Sequence, residues 1–198
     1  SEMVPDLLGR TSDLTADQRR FLTRALALYQ EFARDTAADE VSRVGVADAQ
    51  LRVAQFQRSL GQLGAARASA EAALQSWERL ATEFAENRDY SRNLALTYWL
   101  LSCLLRDLGE KKEAEPWARK AATLNRRLLA DGGPDPRTEH QLCDCLNTLA
   151  TILRQTGRLK EAEEQWRALL PLRSQLAARC PRSAEHGIGL LWVHLNLA

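Results

Sequence analysis

Apolar residues recur along the chain at helical spacing, and the pattern itself recurs. Between Asn93 and Ala122, Leu94, Leu101, Leu104 and Leu105 mark one amphipathic helix. Gly109 interrupts it, and a second amphipathic run follows. The same arrangement appears one step to either side: Gly61 plus 48 is Gly109, and Gly109 plus 48 is Gly157. Leu94, Leu142 and Leu190 share that step, as do Leu101, Leu149 and Leu197, and Phe56, Leu104 and Ile152. Three superposed apolar ladders joined by a turn glycine predict an array of helix pairs.

The elements follow in order. Leu14 to Thr36 reads as a helix, with Thr15 and Gln18 forming a capping-box signature at its start. Ala25, Leu26, Tyr29 and Phe32 fall one such step before Ala73, Leu74, Trp77 and Leu80, so this helix resembles the second half of a repeat. Complete repeats are expected over 39–84, 87–130 and 136–179, and a truncated fourth over 183–198. Residues 1–13 read as a disordered segment, with Ser1 and Glu2 ahead of Met3 as a cloning remnant. The run Asp131 to Arg137 is a helix stop, Pro116 lies near a helix start, and Pro171 predicts a kink in the last full helix. The expected fold is an all-α solenoid of antiparallel helix pairs with a period of 48, one domain over 14–198.

Charge narrows the partners. Lys+Arg 27 against Asp+Glu 26 leaves +1, which gives no global attraction to nucleic acid or an anionic membrane. No apolar run approaches the roughly 18 residues that span a bilayer, and the first residues lack the pattern of a signal peptide. A cytoplasmic location is expected.

Little in the chain carries chemistry. Cys103, Cys143, Cys145 and Cys180 contain no C-x-x-C pair and read as small apolar residues in a reducing compartment. His140, His186 and His194 are scattered. Glu113, Glu115, Glu161, Glu163 and Glu164 read as a solvated face near helix starts. Kinase signatures are absent, and Gly187 and Gly189 open an apolar run where a phosphate loop would need polar surroundings. No cofactor, no metal and no catalytic residue is expected in this segment.

The pattern resembles the tetratricopeptide family. Ala54, Ser102 and Ala150 fall at its first small site, and Ala66, Ala114 and Ala162 at the alanine of its second helix. Leu101 and Leu149 match its leucine, and Gly61, Gly109 and Gly157 its turn. The stretches LLRDLGEKKEAE and ILRQTGRLKEAEEQW also resemble the long-repeat arrays that follow the kinase domain in planctomycete-type bacterial serine/threonine protein kinases. That resemblance implies a right-handed superhelix and a regulatory or scaffolding role beside a kinase. It also implies that the leading helices line a concave groove.

By that register Trp99 faces the groove, and Arg58, Arg106 and Arg154, each three residues before a turn glycine, stack along it with Gln55, Asp107, Asn147, Asp144 and Thr151. The arginines are expected to form a guanidinium ladder for an acidic or phosphorylated peptide, held by bidentate bonds. The bland alternative is that they are solvated or paired with Asp107 and its neighbours. Trp77, Trp117 and Trp166 are expected in packing between repeats. The expected function is a non-catalytic protein-interaction module; the rival is self-association through Ile188 to Leu197 and the N-terminal helix.

Overall fold

Three hairpin turns set the architecture. At Gly109 the backbone takes φ 86°, and at Gly61 and Gly157 it takes 76° and 80°. The Gly109 amide bonds the Arg106 carbonyl at 3.0 Å, and the next amide, Glu110, bonds Leu105 at 2.8 Å. Gly61 with Gln62, and Gly157 with Arg158, make the same two bonds to Arg58 and Gln57 and to Arg154 and Leu153. This Schellman pair satisfies the last helical carbonyls and reverses the chain within a short turn.

A computed structural model describes residues 15–32 and 39–179. Within them the chain forms seven helices and no strand: α1 (Ala16–Phe32), α2 (Glu40–Ser59), α3 (Leu63–Glu83), α4 (Arg88–Asp107), α5 (Lys111–Gly132), α6 (Pro136–Gln155) and α7 (Leu159–Arg179). The predicted capping box is present in α1, where the Thr15 amide bonds Gln18 Oε1 at 2.8 Å and the Gln18 amide bonds Thr15 Oγ1 at 3.2 Å. The leading helices α2, α4 and α6 start from Asp39, Asn87 and Asp135, whose side chains accept the amides of Ser42, Asp89 and Thr138. These caps keep the same period as the turn glycines and satisfy amides that would otherwise be orphaned.

The expected stop over Asp131 to Arg137 is narrower than predicted. α5 continues to Gly132, Gly133 turns with φ 75°, and α6 already begins at Pro136. Proline is tolerated there because the first helical amide has no intrahelical partner. α7 continues unbroken through Pro171, which is exposed. The predicted segments 1–13, 33–36 and 183–198, with Cys180, His186 and His194, lie outside the described residues.

Each helix packs on the next in sequence, and α4 also touches α2 and α6 directly. No pair of second helices meets to a comparable extent among the described residues. The leading helices therefore form the inner, closely spaced layer, and the second helices splay on the outer one.

Alanine makes the close approach possible. Ala66, Ala70 and Ala73 on α3 are fully buried against Ala47, Leu51 and Ala54 of α2. Ala114, Ala118, Ala121 and Ala122 on α5 do the same for Leu142, Cys143, Leu146 and Leu149 of α6. Each buried leucine contributes about 2 kcal/mol. Tyr98, Trp99 and Trp117 pack against both of these clusters and join them. Leu22, Leu26, Val53 and Phe56 form a smaller cluster that holds α1 on α2. This is an all-α solenoid of antiparallel pairs.

Candidate binding groove on the leading helices

The predicted groove residues do lie on the three adjacent leading helices, but they are bound to each other. Arg58 of α2 donates from Nε to Asp107 Oδ2 of α4 at 2.9 Å. Arg106 reaches the other oxygen of the same carboxylate, with Nη2 at 2.8 Å and Nε at 3.1 Å. The three side chains are only 15%, 22% and 23% exposed. One acid thus bridges two arginines from consecutive leading helices, and the trio keeps one positive charge in excess.

Trp99 lies on α4 seven residues before Arg106. It is half-buried, and its indole N–H donates to Thr148 Oγ1 of α6 at 2.9 Å. Both lateral bonds, Arg58 to Asp107 and Trp99 to Thr148, span 49 residues. These two bonds run one residue beyond the repeat, whereas Tyr90 reaches Glu40 over 50 residues and Arg92 reaches Thr138 over 46. Applied to Arg106, the 49-residue offset reaches Gln155, which carries no charge. Arg106 turns instead to its own neighbour Asp107.

Arg154 is the third predicted rung and has a different setting. Its guanidinium lies over the Trp166 ring, 5.5 Å from the centroid, a cation–π arrangement. Trp166 Nε1 donates to Asn147 Oδ1 at 3.2 Å, so Arg154, Trp166 and Asn147 form a second unit. Gln55 is half-buried, and its Oε1 is enclosed without a donor from the protein. Asp144 accepts from Arg173 at 2.9 Å, and Thr151 bonds the Asn147 carbonyl within its helix.

The other predicted roles resolve unevenly. Trp77 is fully buried and faces Tyr90 of the next helix pair at 5.9 Å. Trp117 lies on Tyr98 of the leading helix before it at 5.6 Å and also packs against both core clusters, whereas Trp166 bonds Asn147 of the leading helix before it. Glu115 is not a solvated acid. Its side chain is 17% exposed and pairs with Arg158 at 2.7 Å and with Arg119 at 2.8 Å. Cys103, Cys143 and Cys145 are buried free thiols. Burial pushes the Cys143 thiol up to about 12 and also raises Cys103 and Cys145. Burial pushes the Tyr98 hydroxyl up to about 12 as well, with Glu78 adding to it.

A cavity of about 720 Å³ opens at the N-terminal ends of α4 and α6, beside the C-terminal end of α7. Asp89 and Arg137, Arg92 and His140, and Asn93 and Gln141 line it in pairs related by one repeat. That spacing is present in the sequence, but no single residue type marks it. Two of the cavity's three arginines are already matched. Arg92 pairs with Asp135 at 3.2 Å and with Asp89, and Arg179 pairs with Glu139 at 2.5 Å. Among the described residues no group of three or more His, Cys, Asp or Glu could hold a metal ion, and no helix is long and apolar enough to cross a membrane.

The arrangement sets polar side chains of neighbouring leading helices beside one another. No curated protein matches the chain. The tetratricopeptide repeat family model matches residues 94–135 and 142–177, which take in most of α4 to α7. Two stretches of this helical array are thus similar to tetratricopeptide repeats, which generally mediate protein–protein interaction.

Proposed function

We propose that the inner face formed by α2, α4 and α6 receives a peptide or partner segment carrying an acidic or phosphorylated side chain. The observation that carries this reading is the Arg58–Asp107–Arg106 trio. Two guanidinium groups share one carboxylate, so an incoming anion meets residual positive charge on donors already held in place. Arg154 over Trp166, together with Asn147, offers a second anchoring point. Trp99 and Gln55 lie on the same leading helices and would contact the partner's apolar and amide groups. In the wider protein this module would be the regulatory or scaffolding region of a bacterial serine/threonine protein kinase, working in the cytoplasm. The kinase setting rests on the resemblance of LLRDLGEKKEAE and ILRQTGRLKEAEEQW.

The test uses fluorescein-labelled peptides rich in glutamate or phosphoserine, read by fluorescence polarisation. The Arg58→Ala/Arg106→Ala/Arg154→Ala protein should lose binding at least tenfold. Asp107→Asn should strengthen it, because the competing carboxylate is gone. Unchanged affinity in the triple variant would sink the groove reading. The kinase setting is checked separately, by reading the full open reading frame for a kinase domain ahead of this segment.

A second reading, self-association through the terminal helices, is favoured by one observation. Phe21, Leu28 and Phe32 on α1 are 45%, 69% and 53% exposed.

A further inference from the structure

The cavity at the N-terminal ends of α4 and α6 lies at the opposite end of these helices from the arginine trio. Asn93 and Arg106 are 13 residues apart on α4, which is about 20 Å along the axis. The cavity's volume of about 720 Å³ falls in the range of small-molecule sites.

Its polar lining falls into two groups. One group is held within the protein. Arg92 bonds Thr138 Oγ1 at 3.1 Å and pairs with Asp89 and Asp135. Arg179 pairs with Glu139, and His140 lies 3.5 Å from Asp144. The other group is Arg137, Asn93 and Gln141. Among the described residues Arg137 pairs with no acid, and the amide side chains of Asn93 and Gln141 form no hydrogen bond. Asp89, one repeat before Arg137, is turned to Arg92. Gln141 Oε1 is enclosed without a donor, so turning this amide toward the cavity breaks no bond within the protein.

The three unengaged groups are spaced for one small molecule. Arg137 precedes Gln141 by one helical turn, so the two side chains leave α6 about 6 Å apart on one face. Asn93 holds the same position as Gln141 on the neighbouring leading helix, roughly 8–10 Å across. An unmatched guanidinium calls for an anion. Two amides call for a planar edge with adjacent donor and acceptor, as a nucleobase presents. Leu176 and Pro136 add apolar surface, and the guanidinium planes of Arg92 and Arg179 are flat faces for a ring. Only Arg137 is unmatched, and Asp89 lines the same cavity. This balance suits one phosphate group and disfavours three.

We propose that the cavity binds a nucleoside monophosphate, with the phosphate at Arg137 and the base edge at Asn93 and Gln141. Its walls come from α4, α6 and the end of α7, so the bound nucleotide ties neighbouring repeats together. The site is separate from the inner face proposed to take the peptide, and the two can fail independently.

The test is isothermal titration of the full chain with AMP, adenosine, inorganic phosphate and ATP. AMP should bind at one site and raise the thermal unfolding midpoint. Adenosine, phosphate and ATP should each bind about tenfold more weakly or worse. Arg137→Ala should weaken AMP to the level of adenosine and leave adenosine itself unchanged. Gln141→Leu should weaken AMP and adenosine alike, by about fivefold. Circular dichroism checks its folding; if it does not fold, Asn93→Ala reports on the same end of the ligand. Absence of AMP binding, unchanged AMP affinity in Arg137→Ala or in the amide variant, or ATP binding as tightly as AMP would overturn the proposal. Acidic-peptide binding in saturating AMP should not change; a loss there would place the nucleotide at the inner arginines and overturn the assignment to this cavity.

Discussion

Arg179 at the end of α7 donates to Glu139 near the start of α6 at 2.5 Å, with 10% of the Glu139 side chain exposed. The positions two repeats earlier hold the same contact with the charges exchanged: Arg43 on α2 pairs with Glu83 on α3, also at 2.5 Å. The fold thus accepts either polarity at this place, provided the pair is kept. Glu139→Lys should therefore destabilise the protein by about 2 kcal/mol, because a shielded acceptor is lost and a like charge takes its place. Adding Arg179→Glu should restore at least half of the loss. Urea unfolding of the wild type, both single variants and the double variant gives the coupling directly.

Asp135 combines a cap and an ion pair. Burial alone would raise its carboxyl, but bonds from Thr138 and the charge of Arg92 outweigh that and hold it below the ordinary carboxylate range. A carboxyl lowered in the folded state contributes stability above its unfolded value near 4. That contribution is lost as pH falls through the folded value. Asp135→Asn keeps a capping acceptor and drops the pairing with Arg92. It should cost about 0.5–1 kcal/mol at pH 7, and the difference should shrink as pH is lowered below 4. Asp135→Ala loses the cap as well and should cost about 1 kcal/mol more. Unfolding curves at pH 7, 5 and 3 check both the sign and the window.

The period, the helix pairs and the turn glycines are legible in the sequence because each depends on residues a few positions apart. Gly61, Gly109 and Gly157 announce the turns through a backbone requirement that little else meets. The caps Asp39, Asn87 and Asp135 share the same period but vary in type, so an apolar search passes over them. The groove is less legible. Its register places Arg58, Arg106, Arg154 and Trp99 on the leading helices, yet their partners depend on the sideways offset between helices. For two bonds it is 49 residues, delivering Asp107 to Arg58 and Thr148 to Trp99, whereas Tyr90 reaches Glu40 over 50 and Arg92 reaches Thr138 over 46. Such departures from the repeat cannot be read from periodicity, because they depend on how far each side chain reaches across to the neighbouring helix.

Two glycines should respond oppositely to alanine. Gly109 has φ 86° and nothing within 4 Å of an added Cβ, so the cost of Gly109→Ala is backbone strain alone. About 1–2 kcal/mol of destabilisation is expected. Gly64 lies in the first turn of α3 with ordinary helical backbone and equally open space. Gly64→Ala should stabilise by about 0.5–1 kcal/mol, through lower unfolded-state entropy. Thermal unfolding of the two single variants against wild type decides it. A stabilising Gly109→Ala would show that the Schellman turn is not what reverses the chain.

The buried thiols report on how the array opens. Cys103, Cys143 and Cys145 are 2%, 0% and 1% exposed, and burial disfavours their thiolates, with Cys143 at about 12. The thiolate is the reactive form, so at pH 8 these side chains are protected twice, by access and by ionisation. In a Cys180→Ser background, Ellman's reagent should therefore release almost no colour from the native protein and three equivalents in denaturant. At intermediate urea, Cys143 and Cys145 on α6 and Cys103 on α4 sit in neighbouring repeats. Repeat arrays unfold through nearest-neighbour contacts, but Tyr98, Trp99 and Trp117 tie the two cores together. All three thiols should become reactive in one transition. Trp99→Ala, which removes a residue shared by both cores and the bond to Thr148, should separate Cys103 from the other two; mass spectrometry of partially labelled protein would resolve the order.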